Sequence, residues 1–293
     1  MIRAREERPG YAIGLMLAVY ICFTGIDTSA KWLVEAGIPV GQVVFVRYFG
    51  HLMMVLALFG PSQGASLWRM RSPRLTLVRG LMLLCATFAN FTALQYLPMT
   101  ITISIFFISP LLITASAALF LSEKVGRRRW TAIGIGLAGV LIITRPWGAA
   151  FQWAMLISLI PPIANAVYTL ITRRLAGVEA PDTMQFWAAL IPLIALTPFA
   201  LTDWVWPVDG WSWLAFVMIG VSGWSGHQLF TLAHRYAEAS SLAPLNYSHI
   251  VWISISSWLI FHQPPDRATL IGATVIILSG LYVWLRERRV RAR

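Results

Sequence analysis

The sequence predicts an all-α integral membrane protein of ten transmembrane helices, arranged as two inverted five-helix repeats. Three observations predict it. First, 58% of the 293 residues are hydrophobic and only 12% are charged, with a mean hydropathy of +0.69, whereas a soluble domain carries about 25% charged residues. Second, apolar runs of roughly 15 to 26 residues recur along the chain, long enough for a hydrocarbon core about 30 Å thick. Third, the stretch Ala93 to Arg129 returns 140 positions later, with Ala93 falling on Ala233, Tyr96 on Tyr236, Ser116 on Ser256 and Glu123 on Gln263. The basic loop of the first copy, Lys124 with Arg127, Arg128 and Arg129, becomes Pro264, Pro265, Asp266 and Arg267 in the second. Basic loops stay cytoplasmic, so a loop that loses its charge on repetition has changed sides of the membrane.

The spans are, in order, Tyr11 to Val34, Val40 to Phe59, Leu75 to Tyr96, Met99 to Leu121, Trp130 to Thr144, Phe151 to Leu175, Met184 to Leu201, Trp211 to Arg235, Ala239 to Phe261 and Ala268 to Leu285. Backbone groups in hydrocarbon must bond internally, and no run shows the alternation of a barrel strand, so all are read as helices. The first span contains Asp27 and Lys31 and lacks a small-residue cleavage site, which predicts a retained helix and no signal peptide. The third ends in a tight turn at Leu97-Pro98, and the fourth holds Pro110, which frees a backbone carbonyl near Phe106. The short fifth span is crowded with Gly134, Gly136 and Gly139. Pro161-Pro162 predicts a kink in the sixth, and Gly220, Gly223 and Gly226 give the eighth a small-residue row for close packing.

Basic residues then fix the topology. Of the 23, 18 fall in the N-terminal segment and in the loops and C-terminal segment on the same side, and only Arg145 and Arg267 fall on the other. This predicts both termini in the cytoplasm, and five spans per half require the halves to sit antiparallel. The repeat boundary falls near Arg145 to Gly148, giving units 1–146 and 147–293. The net charge of +11 is thereby spent on topology, so no nucleic-acid partner is expected. Cys22 and Cys85 both lie in spans, which excludes a disulfide framework or metal motif, and no cofactor is expected. No GxxxxGK[ST] occurs, so no ATP drive or ATPase subunit is expected. The expected partners are a small-molecule substrate and the lipid bilayer, with the chain acting as a monomer.

Several segments carry a family resemblance: ALQYLPMTITISIFFISPLL (Ala93 to Leu112), the SEK at Ser122 to Lys124, and GVLIITRP (Gly139 to Pro146). AHRYAEASSLAPL (Ala233 to Leu245), Gly272 and Gly280 form a weaker second set. With these the chain resembles the drug/metabolite transporter superfamily, in its EamA-type branch, over nearly its whole length. It departs from the family pattern at Gln263, where a glutamate is usual, and at Ile250, where a proline is usual. The resemblance implies a basket of ten helices around a central cavity, working by alternating access in the bacterial inner membrane. It also implies a cargo among small metabolites, with amino-acid export expected and riboflavin-type uptake as the alternative.

Ionisable groups within spans are the first candidates for function, since each costs about 2.5–3.5 kcal/mol at the bilayer centre. Asp27 and Lys31 are one turn apart on the first helix, and Asp27 and Arg47 both lie about 10 Å from the outer surface at 1.5 Å per residue. An Asp27–Arg47 contact is expected, with His51, one turn below Arg47, completing the cluster. It would serve as a polar gate or as a neutralised pin between two helices. Asp27 held ionised by cations would be a poor proton carrier, leaving His227 and His249 as candidates for coupling. The expected cavity wall comprises Phe88, Asn90, Phe107, Ser109, Asn165, Tyr168, Trp224, His227, Gln228, Asn246, Tyr247 and His249. Apolar and aromatic surface with a few amides and hydroxyls suits a small, partly apolar metabolite, although any one of these groups could instead bond between helices. A polytopic enzyme using Asp27, His51 and His227 on a lipid is the contrasting reading.

Overall fold

Helix follows helix, with no strand among the described residues. The computed structural model describes residues 8–109, 111–113, 115, 127–145, 147–148, 151–175, 178–236 and 243–291. The first half holds α1 (Pro9–Glu35), α2 (Val40–Gln63), α3 (Pro73–Leu94), α4 (Met99–Phe106) and α5 (Arg127–Thr144). The second holds α6 in two pieces (Ala154–Ile157 and Ile160–Leu175), α7 (Pro181–Ala200), α8 (Gly210–Tyr236), α9 (Ser248–Phe261) and α10 (Arg267–Arg291).

Proline sets many of these bounds. It opens α1, α3 and α7, where its fixed φ suits the first turn and its missing N–H is not needed. α6 breaks at Ser158 and Leu159, the turn before the Pro161-Pro162 pair, because Pro162 cannot bond back to Ser158 and crowds its carbonyl. α4 stops at Phe106, four residues before position 110, which itself lies outside the described residues together with 116–126. α2 runs past its predicted end, carrying Pro61 within it as far as Gln63. The ninth span was expected to be helical from Ala239; positions 239–242 lie outside the described residues, Ala243–Tyr247 form a 3₁₀ turn, and α9 runs from Ser248. Pro244 has no N–H for an α-helical bond and disfavours the α conformation at Ala243.

By length and composition, Gly10–Glu35, Val40–Trp68, Pro73–Leu94, Ala154–Thr172 and Pro181–Ala200 can each cross a membrane, and Trp130–Thr144 and Arg267–Tyr282 are shorter apolar helices. α8 has 27 residues, but Ser212, Ser222, Ser225, His227 and Gln228 make it more polar than those five. Outward faces carry apolar side chains such as Leu81, Ile135, Phe199, Val217 and Leu278, as lipid requires.

The packing reveals how the halves are related. α1 packs on α8 and α3 on α6, α2 on α8 and α3 on α7, and α1 on α9 and α4 on α6. Helices five places apart also pair: α2 with α7, α4 with α9 and α5 with α10. Exchanging each helix for the one five places away maps these pairings onto themselves, as a two-fold axis requires. The α5–α10 crossing shows it at residue level. A Cβ on Gly139 would lie 2.9 Å from the Gly272 carbonyl oxygen, and one on Gly272 would lie 2.6 Å from that of Gly139. The Ser279 hydroxyl donates to the Ala132 carbonyl at 2.5 Å. Under the 140-residue shift Ala132 becomes Gly272 and Gly139 becomes Ser279, so these two contacts are one contact seen from both sides of the axis. Residue numbers rise along α5 as they fall along α10, and the repeats are inverted.

Links between segments sort the helix ends onto two faces. At the face where α1 begins, the Arg8 N–H donates to the Tyr236 carbonyl, and Gln63 donates to Asp182. At the opposite face Gln42 and Val205 exchange two hydrogen bonds, the Trp32 indole donates to Ser212, and Arg145 pairs with Asp266. α10, antiparallel to α5, ends on the side where α5 begins.

Candidate functional site

Two buried guanidinium groups dominate the seam between the halves. Arg47 on α2 is 4% exposed and Arg79 on α3 is 5% exposed. Arg47 Nη1 donates to the Thr87 hydroxyl at 3.3 Å, and its guanidinium lies 4.6 Å from the centre of the Tyr48 ring. Thr87 and the Tyr48 hydroxyl share a 2.9 Å hydrogen bond, so one threonine on α3 fixes both α2 side chains. On the other flank of Arg47 stands Gly223 of α8, where a Cβ would sit 3.7 Å from Arg47 Cγ and 3.9 Å from Nε. Arg79 crosses to the second half. Its Nε donates to Thr172 at 2.9 Å, Nη1 to the Met184 carbonyl at 3.0 Å and Nη2 to the Tyr168 hydroxyl, with the guanidinium 4.5 Å from the Tyr168 ring centre. Among the described residues neither arginine touches a carboxylate.

Rings line the seam alongside them. His51 and His227 face each other with centroids 5.9 Å apart. Phe23 of α1 lies 5.4 Å from His227 and 6.2 Å from His249, and Tyr20 lies 5.5 Å from His249. Tyr20, His249, Phe23, His227 and His51 thus form a row contributed by α1, α9, α8 and α2. Arg47 Nε, both ring nitrogens of His51 and His249 Nε2 are buried without a hydrogen-bond partner. Each such group left unpaired costs about 1–3 kcal/mol, a cost a bound cargo could relieve.

The predicted charge cluster is drawn differently. Asp27 forms no ion pair with Arg47 or Lys31 among the described residues. Its carboxylate accepts from Asn90 Nδ2 of α3 at 2.9 Å, while Arg47 turns to Thr87 on that same helix. Lys31, though one turn from Asp27, reaches the other way. It pairs with Glu35 at 2.8 Å and donates to the carbonyls of Leu94 and Leu97, where the unbonded carbonyls and negative dipole end of α3 favour a cation. His51 joins His227 and makes no hydrogen bond to Arg47. A consequence can be tested. Asp27→Ala and Arg47→Ala should lower expression independently, and exchanging the two charges should give no rescue in membrane yield; recovery in the double variant would restore the direct pair.

Other predicted wall residues scatter. Asn165 donates to the Ser109 hydroxyl at 2.7 Å, tying α6 to the segment after α4. Phe107 meets the Tyr247 ring edge-on at 5.5 Å, and Tyr247 packs onto Gly280, where a side chain would collide with its hydroxyl. Asn246 lies on the 3₁₀ turn before α9, and Gln228 is half-buried on α8. Trp224 packs with Trp187 against the cluster of Leu52, Val55 and Phe186. Phe88 does not reach the seam. It is 42% exposed and shares the outward stripe of α3 with Leu81 and Cys85, one helical turn apart each.

Tyr20, Phe23, Tyr48, Thr87 and Arg79 belong to the site but were not singled out from sequence. Arg79 carried a readable signal, a cation inside an apolar run. It sits near the start of its span, however, where an arginine ordinarily snorkels to the headgroups. The aromatic and hydroxyl residues carry no such mark in a chain this rich in both.

Comparison with known proteins gives a consistent result. The model of the EamA-like transporter family matches the chain twice, over residues 10–145 and 152–285. A riboflavin transporter of Rhizobium johnstonii is 27% identical over 279 residues, covering 94% of this chain and 91% of its own. An S-adenosylmethionine uptake transporter of Rickettsia bellii is 27% identical over 281 residues, covering 96% of each. A pseudopaline exporter of Pseudomonas aeruginosa is 25% identical over 269 residues, covering 91% and 94%. One solved crystal structure superposes with a TM-score of 0.62 at 22% identity, covering 93% of this chain and 98% of that one, and shows the same fold.

Proposed function

The chain belongs to the EamA-like transporter family, and from that premise we propose that it is a secondary carrier of the bacterial inner membrane that exports amino acids, aromatic or other neutral ones, or related compounds. Family and named relatives alike are transporters, so the reading as a lipid enzyme is set aside. One observation carries the proposal. Buried donors and aromatic rings from both inverted halves meet in a single seam, with Arg79 of the first half held by Tyr168 and Thr172 of the second. Inverted halves can exchange their conformations, which alternates access between the two faces around one fixed site. The charge asymmetry of the loops supports cytoplasmic termini. Export is the direction named for the pseudopaline relative and uptake for the S-adenosylmethionine relative, so relatives of both directions occur.

A second reading, riboflavin-type uptake, is favoured by two relatives named as riboflavin transporters and by the row of rings beside α1, which suits a flat heterocycle. Flux into proteoliposomes of labelled phenylalanine, leucine and riboflavin separates the two. Saturable amino-acid movement is expected. Saturable riboflavin movement with no amino-acid flux would overturn the first reading in favour of the second.

A further inference from the structure

We infer that the seam between α2, α3 and α8 is a carboxylate-binding site, in which Arg47, with His51 beside it, takes the anionic group of the cargo, and Arg79 offers a second cationic station nearer the face where α1 begins. The inference rests on the amino-acid reading above and deepens it by naming the group that is recognised.

Charge balance is the first argument. Lys31 is cancelled by Glu35. Asn90 is neutral, so Asp27 keeps its charge and offsets one of the two remaining buried cations, Arg47 and Arg79, neither of which touches a carboxylate among the described residues. Buried cations are normally paired, and here the missing anion can be the one that is carried.

Free donors are the second. Arg47 is oriented from one side by Thr87 and the Tyr48 ring, which leaves Nε buried and unpartnered. That edge faces Gly223, where a Cβ would stand 3.9 Å from Nε, so α8 sets no side chain against it at this position. The imidazole of His51, one turn further along α2 and equally buried, has one N–H donor to offer, with the Gln185 side chain beside it.

Depth is the third. Arg47 lies seven residues into α2 and Arg79 six residues into α3, which places each about 10 Å from opposite faces at 1.5 Å per residue. His51 and His227 stand within electrostatic reach of both arginines. A carrier that opens to each face in turn gains a cation near either mouth and donors between them.

The test begins with the unaltered protein in proteoliposomes, using whichever of labelled phenylalanine or leucine is carried. The unlabelled amino acid should compete, while its amide and its decarboxylated amine should compete at least about tenfold more weakly. Equal competition by the amine would overturn the site while leaving amino-acid transport standing. Riboflavin flux with no amino-acid flux would overturn both. Arg47→Gln should then raise KM about 10- to 100-fold with a smaller change in kcat, on the strength of hydrogen bonds to charged groups, and Arg47→Lys should recover part of it. An unchanged KM in a monodisperse Arg47→Gln protein would also overturn the site, and the analogue series decides the matter if that variant does not fold.

Discussion

Gly220→Ala is expected to leave little or no monodisperse protein in detergent. A Cβ at Gly220 would lie 2.7 Å from Cα of Gly50, and one at Gly50 equally close to Cα of Gly220. Carbon atoms pack at about 3.5–4.0 Å, and both partners here are backbone, so no side chain can rotate away. α2 and α8 would have to separate by about 1 Å along a crossing that also holds Arg47, His51 and Gly223, at a cost of about 3 kcal/mol or more. Gly134→Ala is the control, since nothing lies within 4 Å of a Cβ there. Gly80→Ala falls between the two, because its close neighbours at 2.9 to 3.0 Å are Cδ1, Cβ and Cγ2 of the Ile191 side chain and not backbone atoms. Thermal unfolding and size-exclusion profiles should rank the variants Gly134, Gly80, Gly220 from mild to severe. A Gly220→Ala protein that behaves like Gly134→Ala would show that the two helices do not meet there.

The same crossing shows what the sequence could and could not reveal. The small-residue row on α8 was readable as packing, because a glycine recurring every three residues in a span has few other uses. Its partner Gly50 was not, since a lone glycine in an apolar run marks nothing. The inverted repeat was legible from the loss of charge between Arg127 to Arg129 and their later counterparts, and the reciprocal contacts of Gly139 and Ser279 realise it. Helix ends were legible where proline opens a helix and less so inside spans, as α9 shows: hydropathy continues through Pro244 whether or not the backbone is α-helical there. The site was only half legible. Burial costs single out charges, so Asp27, Lys31 and Arg47 were found, but their partners depend on side-chain direction. Asp27 meets Asn90 and Lys31 meets α3 carbonyls because each is the nearest complementary group across a helix interface, and sequence spacing along one helix does not encode that. Phe88 failed for the same reason: its neighbours Asn90 and Thr87 point inward, while its own position falls on the lipid stripe.

Glu179→Ala should loosen the face where α1 begins. Glu179 lies in the link between α6 and α7, is 6% exposed, and accepts hydrogen bonds at 2.6 Å from the N–H groups of both Arg71 and Ser72. Those amides lead into α3, whose N-terminal end carries unbonded donors and partial positive charge, a favourable seat for a carboxylate. The contact joins the second half to the first, so a carrier that opens at this face must release it. The opposite face has its own fastenings in Gln42 with Val205 and Arg145 with Asp266, and alternating access requires that the two sets not hold at every stage of the cycle. Hydrogen bonds to a charged acceptor contribute about 1.5–3 kcal/mol each. Removing both should therefore raise the local opening equilibrium at least about tenfold, seen as faster hydrogen exchange at the amides of Arg71 and Ser72. Glu179→Gln, which keeps an acceptor but loses the charge, should fall between wild type and alanine. If exchange at those two amides is unaltered in Glu179→Ala, the carboxylate is not what holds this face closed. Faster exchange accompanied by a change in transport rate would tie the latch to the working cycle, whereas faster exchange with unchanged transport would place the rate-limiting release at the other face.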